Sequence, residues 1–227
     1  MDRPFLYVLP KTSRVVLHKG ADNGDAGDKA AEVVLKQAFS PGTLVEFCEK
    51  KREHIGKITQ VAHKSNGGAR YEVEEVSTGK QFSIADKEVS FGLPAPNNEK
   101  QTEKLLAELE KAHAMHQAEL VKVLDITPDL LEMAWEEALE SEDNKDSITA
   151  KALVELVHAH SPNPIEKYEA WRLLRSDLGH VYFKELKENS RVVAFKAKSR
   201  SSVEASKDTF VKQHESDDWS DTTKMMP

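Results

Sequence analysis

Asn163-Pro-Ile-Glu-Lys-Tyr-Glu-Ala-Trp-Arg-Leu-Leu-Arg175, followed after Gly179 by His180-Val-Tyr-Phe-Lys184 and Arg191-Val-Val-Ala-Phe195, is the stretch on which the fold turns. Asn163 is a capping side chain, and Pro164 takes the first helical position, where its missing N–H costs nothing. Glu166 is placed to reach back to the cap. Ile165, Tyr168, Trp171 and Leu174 recur at helical spacing and give one apolar face. The two later runs read as strands around the turn Lys187-Glu-Asn-Ser190. Upstream, Thr127-Pro128 repeats the cap-and-proline start. Leu131, Ala134, Trp135, Ala138 and Leu139 supply one more apolar face, and Ala152, Leu153, Leu156 and Val157 another. Three short helices and then a hairpin is the order of a winged helix-turn-helix, predicted over 125–200.

Working outward toward the N-terminus, the period changes to two. Leu44–Phe47, His54–Val61, Tyr71–Val76, Gln81–Ile84 and Glu88–Phe91 are five β-rich runs, with Asn66-Gly67-Gly68 and Thr78-Gly79 as turns. Five such strands do not bury a flat face alone, so closure into a small SH3-like or OB-like barrel over 42–93 is expected. Pro94-Ala-Pro96 breaks the pattern, and Lys100 to Leu124 reads as one long linking helix within 97–124. The fold class is therefore α+β: barrel, linking helix, winged helix-turn-helix. Residues 1–41 form an extension with a Gly/Asp-rich linker and a short helical pattern over Lys29 to Phe39, and 201–227 a C-terminal helix and polar tail.

With 227 residues and a hydrophobic fraction of 39%, two small cores fit better than one large one. The formal charge of -7 gives no global attraction to phosphate, so any nucleic-acid surface must be local. From Glu99 to Asp146 five lysines face fourteen acids, which excludes that stretch as a phosphate surface and suits a spacer or a protein-docking helix. No apolar run approaches the roughly 18 residues of a spanning helix. Cys48 is alone and has no activating base beside it in sequence, which suits a reducing compartment. Arg3, Lys11, Arg14 and Lys19, against the single acid Asp2, allow an organelle-targeting reading of the N-terminus.

The hairpin is where charge changes sign. Lys184, Lys187, Arg191, Lys196, Lys198 and Arg200 outnumber Glu185 and Glu188 and make the best candidate phosphate contact; the competing reading is a solvated, solubilising face. Arg172 and Arg175 lie on the third helix, placed either to meet a groove or to pair with Glu169 and Asp177. On the barrel, Lys57 and Arg70 are candidate backbone contacts and Tyr71 a candidate stacking ring, while Phe47, Phe82 and Phe91 are expected in the core. No catalytic or metal site is expected. His113-x-x-His116 and His158-x-His160 lack partners at ligand spacing, and Asp22, Asp25 and Asp28 lack the terminal Glu of a calcium loop. Asp217, Asp218 and Asp221 lie in a polar tail that cannot fix metal ligands rigidly.

Gly42-Thr-Leu-Val-Glu-Phe47, Ile84-Ala-Asp-Lys-Glu-Val-Ser-Phe91, Leu130-Leu-Glu-Met-Ala-Trp-Glu-Glu-Ala-Leu139 and Ser161-Pro-Asn-Pro-Ile-Glu-Lys-Tyr-Glu-Ala170 through Val181-Tyr-Phe-Lys184 resemble the N-terminal region of ribonuclease II (RNB) family exoribonucleases, nearest the plastid-type branch. The resemblance covers about 41–211 and is carried by the order of several segments rather than by one motif. It implies a cold-shock-like barrel and helix-turn-helix that guide single-stranded RNA toward an RNB domain cleaving 3′ to 5′ with magnesium held by aspartates. It also implies a plastid or mitochondrial location. In that family the catalytic domain follows this region, so no cofactor is expected here and Mg²⁺ belongs to the RNB domain alone. The expected partner is single-stranded RNA, with a protein partner at the acidic helix 99–124 and no membrane. The alternative function is a non-catalytic interaction subunit of a larger ribonucleoprotein assembly.

Overall fold

The computed structural model of the chain describes residues 38–63, 68–96, 98–140, 146–188 and 191–214. The targeting reading, nearly all of the 29–39 helical pattern and the acidic tail lie outside them. Five antiparallel strands, β1 (Leu44–Glu49), β2 (Arg52–His63), β3 (Ala69–Glu75), β4 (Gln81–Ala85) and β5 (Val89–Leu93), form a sheet in the order β4-β3-β2-β1-β5. A 3-10 turn, Asp86–Glu88, carries the chain from β4 back beside β1. Among the described residues no ladder joins β4 to β5, so the sheet is open where a closed barrel was expected. The physical reason lies in β1, buried from Leu44 through Phe47 on both faces. Val45 and Phe47 face the sheet's own core with Ile58, Tyr71, Val73, Ile84 and Val89. Leu44, Ile55 and Leu93 belong instead to the helical core, so helices cover the face that would be a closed barrel's exterior, and the sheet is held by them without closing on itself. Gly56 permits the inner packing, since a Cβ there would sit 2.6 Å from Val73 Cγ1 and 3.1 Å from Phe47.

The expected linking helix is two helices, α1 (Glu99–Ala114) and α2 (Gln117–Leu124). His116 is extended, and the Glu119 carboxylate accepts its backbone N–H at 2.9 Å, restarting the helix with a capping box. Then come α3 (Pro128–Glu140), the short strand β6 (Ser147–Ile148), α4 (Ala150–His158) and α5 (Pro164–Arg175). Asn163 caps α5 as its chemistry demands: Oδ1 accepts the N–H groups of Ile165 and Glu166, and Glu166 accepts that of Asn163. Where the sequence suggested a strand from His180, residues Asp177–Tyr182 form a sixth helix, α6, capped by Ser176. Gly179 allows it, because a Cβ would lie 2.4 Å from the Leu173 carbonyl oxygen. The hairpin follows as β7 (Phe183–Glu188) and β8 (Arg191–Ala197), in a second sheet of order β6-β8-β7, and α7 (Arg200–His214) closes the described chain. None of the described helices is long and apolar enough to cross a membrane.

Candidate nucleic-acid interface

The hairpin is rooted by Phe183, Phe195 and Ala197, all buried in the helical core. Strand alternation then turns Lys184 and Lys196 outward, and they stand directly opposite each other in the β7–β8 ladder. Like charges so placed cost up to about 1 kcal/mol, a cost that an anionic ligand would reverse. Both line a groove of about 640 Å³ with Lys198, Leu139, Ala197, Asp146, Ser199 and Ser202. Three lysines and one carboxylate thus line the groove, with the Lys198 ammonium turned to the His180 carbonyl and Ser206. The Lys196 ammonium lies 2.7 Å from Asp146, and that hydrogen bond holds the Asp146 carboxyl below its ordinary value. The first turn of α7 opens at the same groove, and the Ser199 hydroxyl accepts the Ser202 N–H at 3.4 Å. The positive end of the helix dipole adds to the lysine field.

The other candidate residues go to different places. Lys187 remains exposed on the hairpin and pairs with Glu185 at 2.6 Å. Lys198 donates to the His180 carbonyl and to Ser206, and burial lowers its pKa. Arg191 is only 11% exposed: its guanidinium meets the Asp86 carboxylate, donates to the Tyr71 hydroxyl at 3.3 Å and lies 4.0 Å over the Phe39 ring. Tyr71 is fully buried, donating to Asp86 at 2.6 Å, so its ring fills the core of the sheet and is not a stacking surface. Arg172 donates to the carbonyls of Ala112 and His113, capping the end of α1, instead of reading a groove or pairing with Glu169. Lys57 and Arg70 are exposed on the outer face of the first sheet, but Glu74 lies opposite Lys57 and Glu72 alternates between Glu74 and Arg70 on β3. That face carries balanced charge.

Arg175 joins the two sheets to the helices. It donates to Glu185 at 2.9 Å and to Glu46 at 3.3 Å, stacks 4.5 Å over Trp171 and stands 3.6 Å from Glu53. Glu46, 1% exposed on β1, accepts the Tyr168 hydroxyl at 2.5 Å and lies 3.3 Å from His113 Nδ1. Burial pushes the Glu46 carboxyl up, but the hydrogen bonds of His113 and Tyr168 and the charges of His113 and Arg175 outweigh it and hold it below the ordinary value. Burial, and then the Glu46 charge, raise the Tyr168 hydroxyl far above its own. Phe91, expected in the barrel core, packs here 5.1 Å from Tyr168 and 4.9 Å from Trp171. Glu46, Glu53 and His113 bring ligand atoms within 4.8 Å of one another, but the Arg175 guanidinium already supplies the positive charge a metal would bring. His158 bonds the Leu124 carbonyl at 2.7 Å and His160 pairs with Glu166, whereas His113 does stand with two carboxylates that its sequence spacing to His116 did not foretell.

Sequence reasoning missed Asp146, Ser199 and Ser202 in the groove and Glu46 in the seam. Only the serines left a signal, as hydroxyls at a helix start. Residues 110–202 match the family model for the ribonuclease II winged helix domain, a range that begins within α1, ends in the first turn of α7 and includes every groove residue. This supports a ribonuclease II-like N-terminal region, while the first sheet lies outside the matched range. No curated protein and no solved structure matches the chain.

Proposed function

We propose that this chain is an RNA-binding region of a ribonuclease II-like 3′ to 5′ exoribonuclease, which grips the substrate strand and leaves phosphodiester hydrolysis to an RNB domain. The observation that carries the reading is the lysine groove of the matched winged helix, with Lys184 opposite Lys196 and Lys198 beside them. Lys187 is a further exposed cation of the hairpin, on the strand face it shares with its partner Glu185. The chemistry is neutralisation: each ammonium that replaces a condensed counterion on a single strand contributes about 0.7 to the dependence of log K on log salt. The seam supports the groove from behind, since Arg175 fixes Glu185 on the buried face of β7.

The test is fluorescence anisotropy of the full chain with a labelled single-stranded RNA at low salt. Lys184→Glu combined with Lys196→Glu is expected to weaken binding by on the order of tenfold or more, because two attractive contacts become repulsive. Reversal of Glu99 and Glu103, exposed on α1, which lends no residue to the groove, is expected to leave binding unchanged or slightly tighter. Equal affinity of the lysine variant and the wild type would overturn the proposal.

A further inference from the structure

Arg191, one of the hairpin cations expected to contact phosphate, points back into the molecule. It sits opposite Glu188 at the far end of the hairpin from the buried root at Phe183 and Ala197. Its guanidinium is enclosed by parts of the first sheet and the segment leading into it: the Asp86 carboxylate, the Tyr71 hydroxyl and the Phe39 ring. These partners are themselves fixed. Tyr71 donates to Asp86 and accepts the Phe39 N–H at 3.1 Å. Phe39 lies against Gly92 of β5, where a Cβ would stand 2.6 Å from the ring. The hairpin is therefore held at both ends, and Lys184, Lys187 and Lys196 lie between the two holds. A ribbon fixed only at its root must be ordered when it binds, whereas one fixed at root and tip has already lost that freedom.

We propose that the Asp86–Arg191 clamp is a positioning device, through which the first sheet presets the lysine row of the wing for the phosphate backbone. This rests on the RNA-binding reading above. Arg191 itself contributes no phosphate contact. Arginine suits the task because its planar, delocalised charge stacks on Phe39 while it meets Asp86, and lysine offers only a point charge on a flexible stem.

The experiment uses the full chain and three variants: Asp86→Asn, Arg191→Lys and Arg191→Gln. RNA affinity is measured across salt concentrations, corrected for binding-competent fraction by saturation stoichiometry, and amide hydrogen exchange is followed over 183–197. A positioning role predicts that Asp86→Asn and Arg191→Lys each weaken binding by about threefold to tenfold. The salt slope stays that of the wild type, and exchange rises in the hairpin while the core of α5 stays protected. A direct phosphate contact predicts instead that Arg191→Lys binds like the wild type, that Asp86→Asn binds as well or better, and that Arg191→Gln lowers the slope by about 0.7; that pattern would overturn the proposal. Exchange that rises throughout the protein would also overturn it, by showing a merely structural bond. A wild type that binds no RNA at any salt would instead sink the functional reading, and this role with it.

Discussion

Glu46 carries the clearest consequence at the scale of a single residue. A carboxylate at 1% exposure is tolerable only because Tyr168, His113 and Arg175 surround it. Glu46→Gln should therefore destabilise the fold by about 3 kcal/mol at pH 7, measured by urea unfolding, because Arg175 loses a buried counter-charge. The sign with pH follows from the depressed carboxyl. Its stabilisation is fully present above the ordinary glutamate value and is lost as pH falls through the lower, folded-state value. The gap between wild type and Glu46→Gln should accordingly be constant from pH 7 to about pH 5 and shrink below it. Tyr168→Phe tests the same hub without touching charge; losing the hydroxyl that donates to Glu46 should cost about 1.5–3 kcal/mol. None of this was legible from the sequence, where Glu46 is one acid in an alternating run. Which face of β1 is covered, and by what, depends on helices more than fifty positions away.

Elements were legible where their chemistry is local. The Asn163 cap, Pro164 and Glu166 fix the start of α5 within a few residues, and the structure contains each of those bonds. The break between α1 and α2 was missed because apolar spacing continues across it, while the His116–Glu119 capping box is an unusual pairing. The start of β7 was misplaced because Val181 and Tyr182 favour strands in isolation, and Ser176 with Gly179 decides for a helix. The β1–β2 hairpin holds a surprise of its own. Its two-residue turn is Lys50-Lys51, both left-handed at φ 50° and 66°, where Asn-Gly is the favoured pair. Replacing Lys50 by Asn and Lys51 by Gly should stabilise the protein by about 1–2 kcal/mol, read as a higher urea midpoint with an unchanged m-value. Ala159, at φ 55° just beyond α4, makes the same argument for Ala159→Gly on a smaller scale.

At the scale of the whole described chain, the expectation of two small cores needs one amendment. The sheet keeps its own cluster around Phe47 and Tyr71, but Leu44, Ile55 and Leu93 are continuous with the helical core. Phe91, Tyr168 and Trp171 stack across the seam, and the Glu46 hub and the Arg191 clamp bridge it in two further places. Sheet and helices should consequently unfold together, as one calorimetric transition with equal calorimetric and van't Hoff enthalpies. Two resolved transitions would contradict the shared core. The candidate site was half legible: counting charges found the hairpin, but not which of its cations face outward. Lys184 and Lys196 do, and Arg191 does not, because the half-buried Asp86 carboxylate, in the turn between β4 and β5, claims it. The salt dependence of RNA binding tests the central claim most directly. For the wild type log K should fall linearly with log salt, and Lys184→Ala with Lys187→Ala and Lys196→Ala should reduce that slope by about 2, at 0.7 for each lost contact. An unchanged slope in the triple variant would contradict the account.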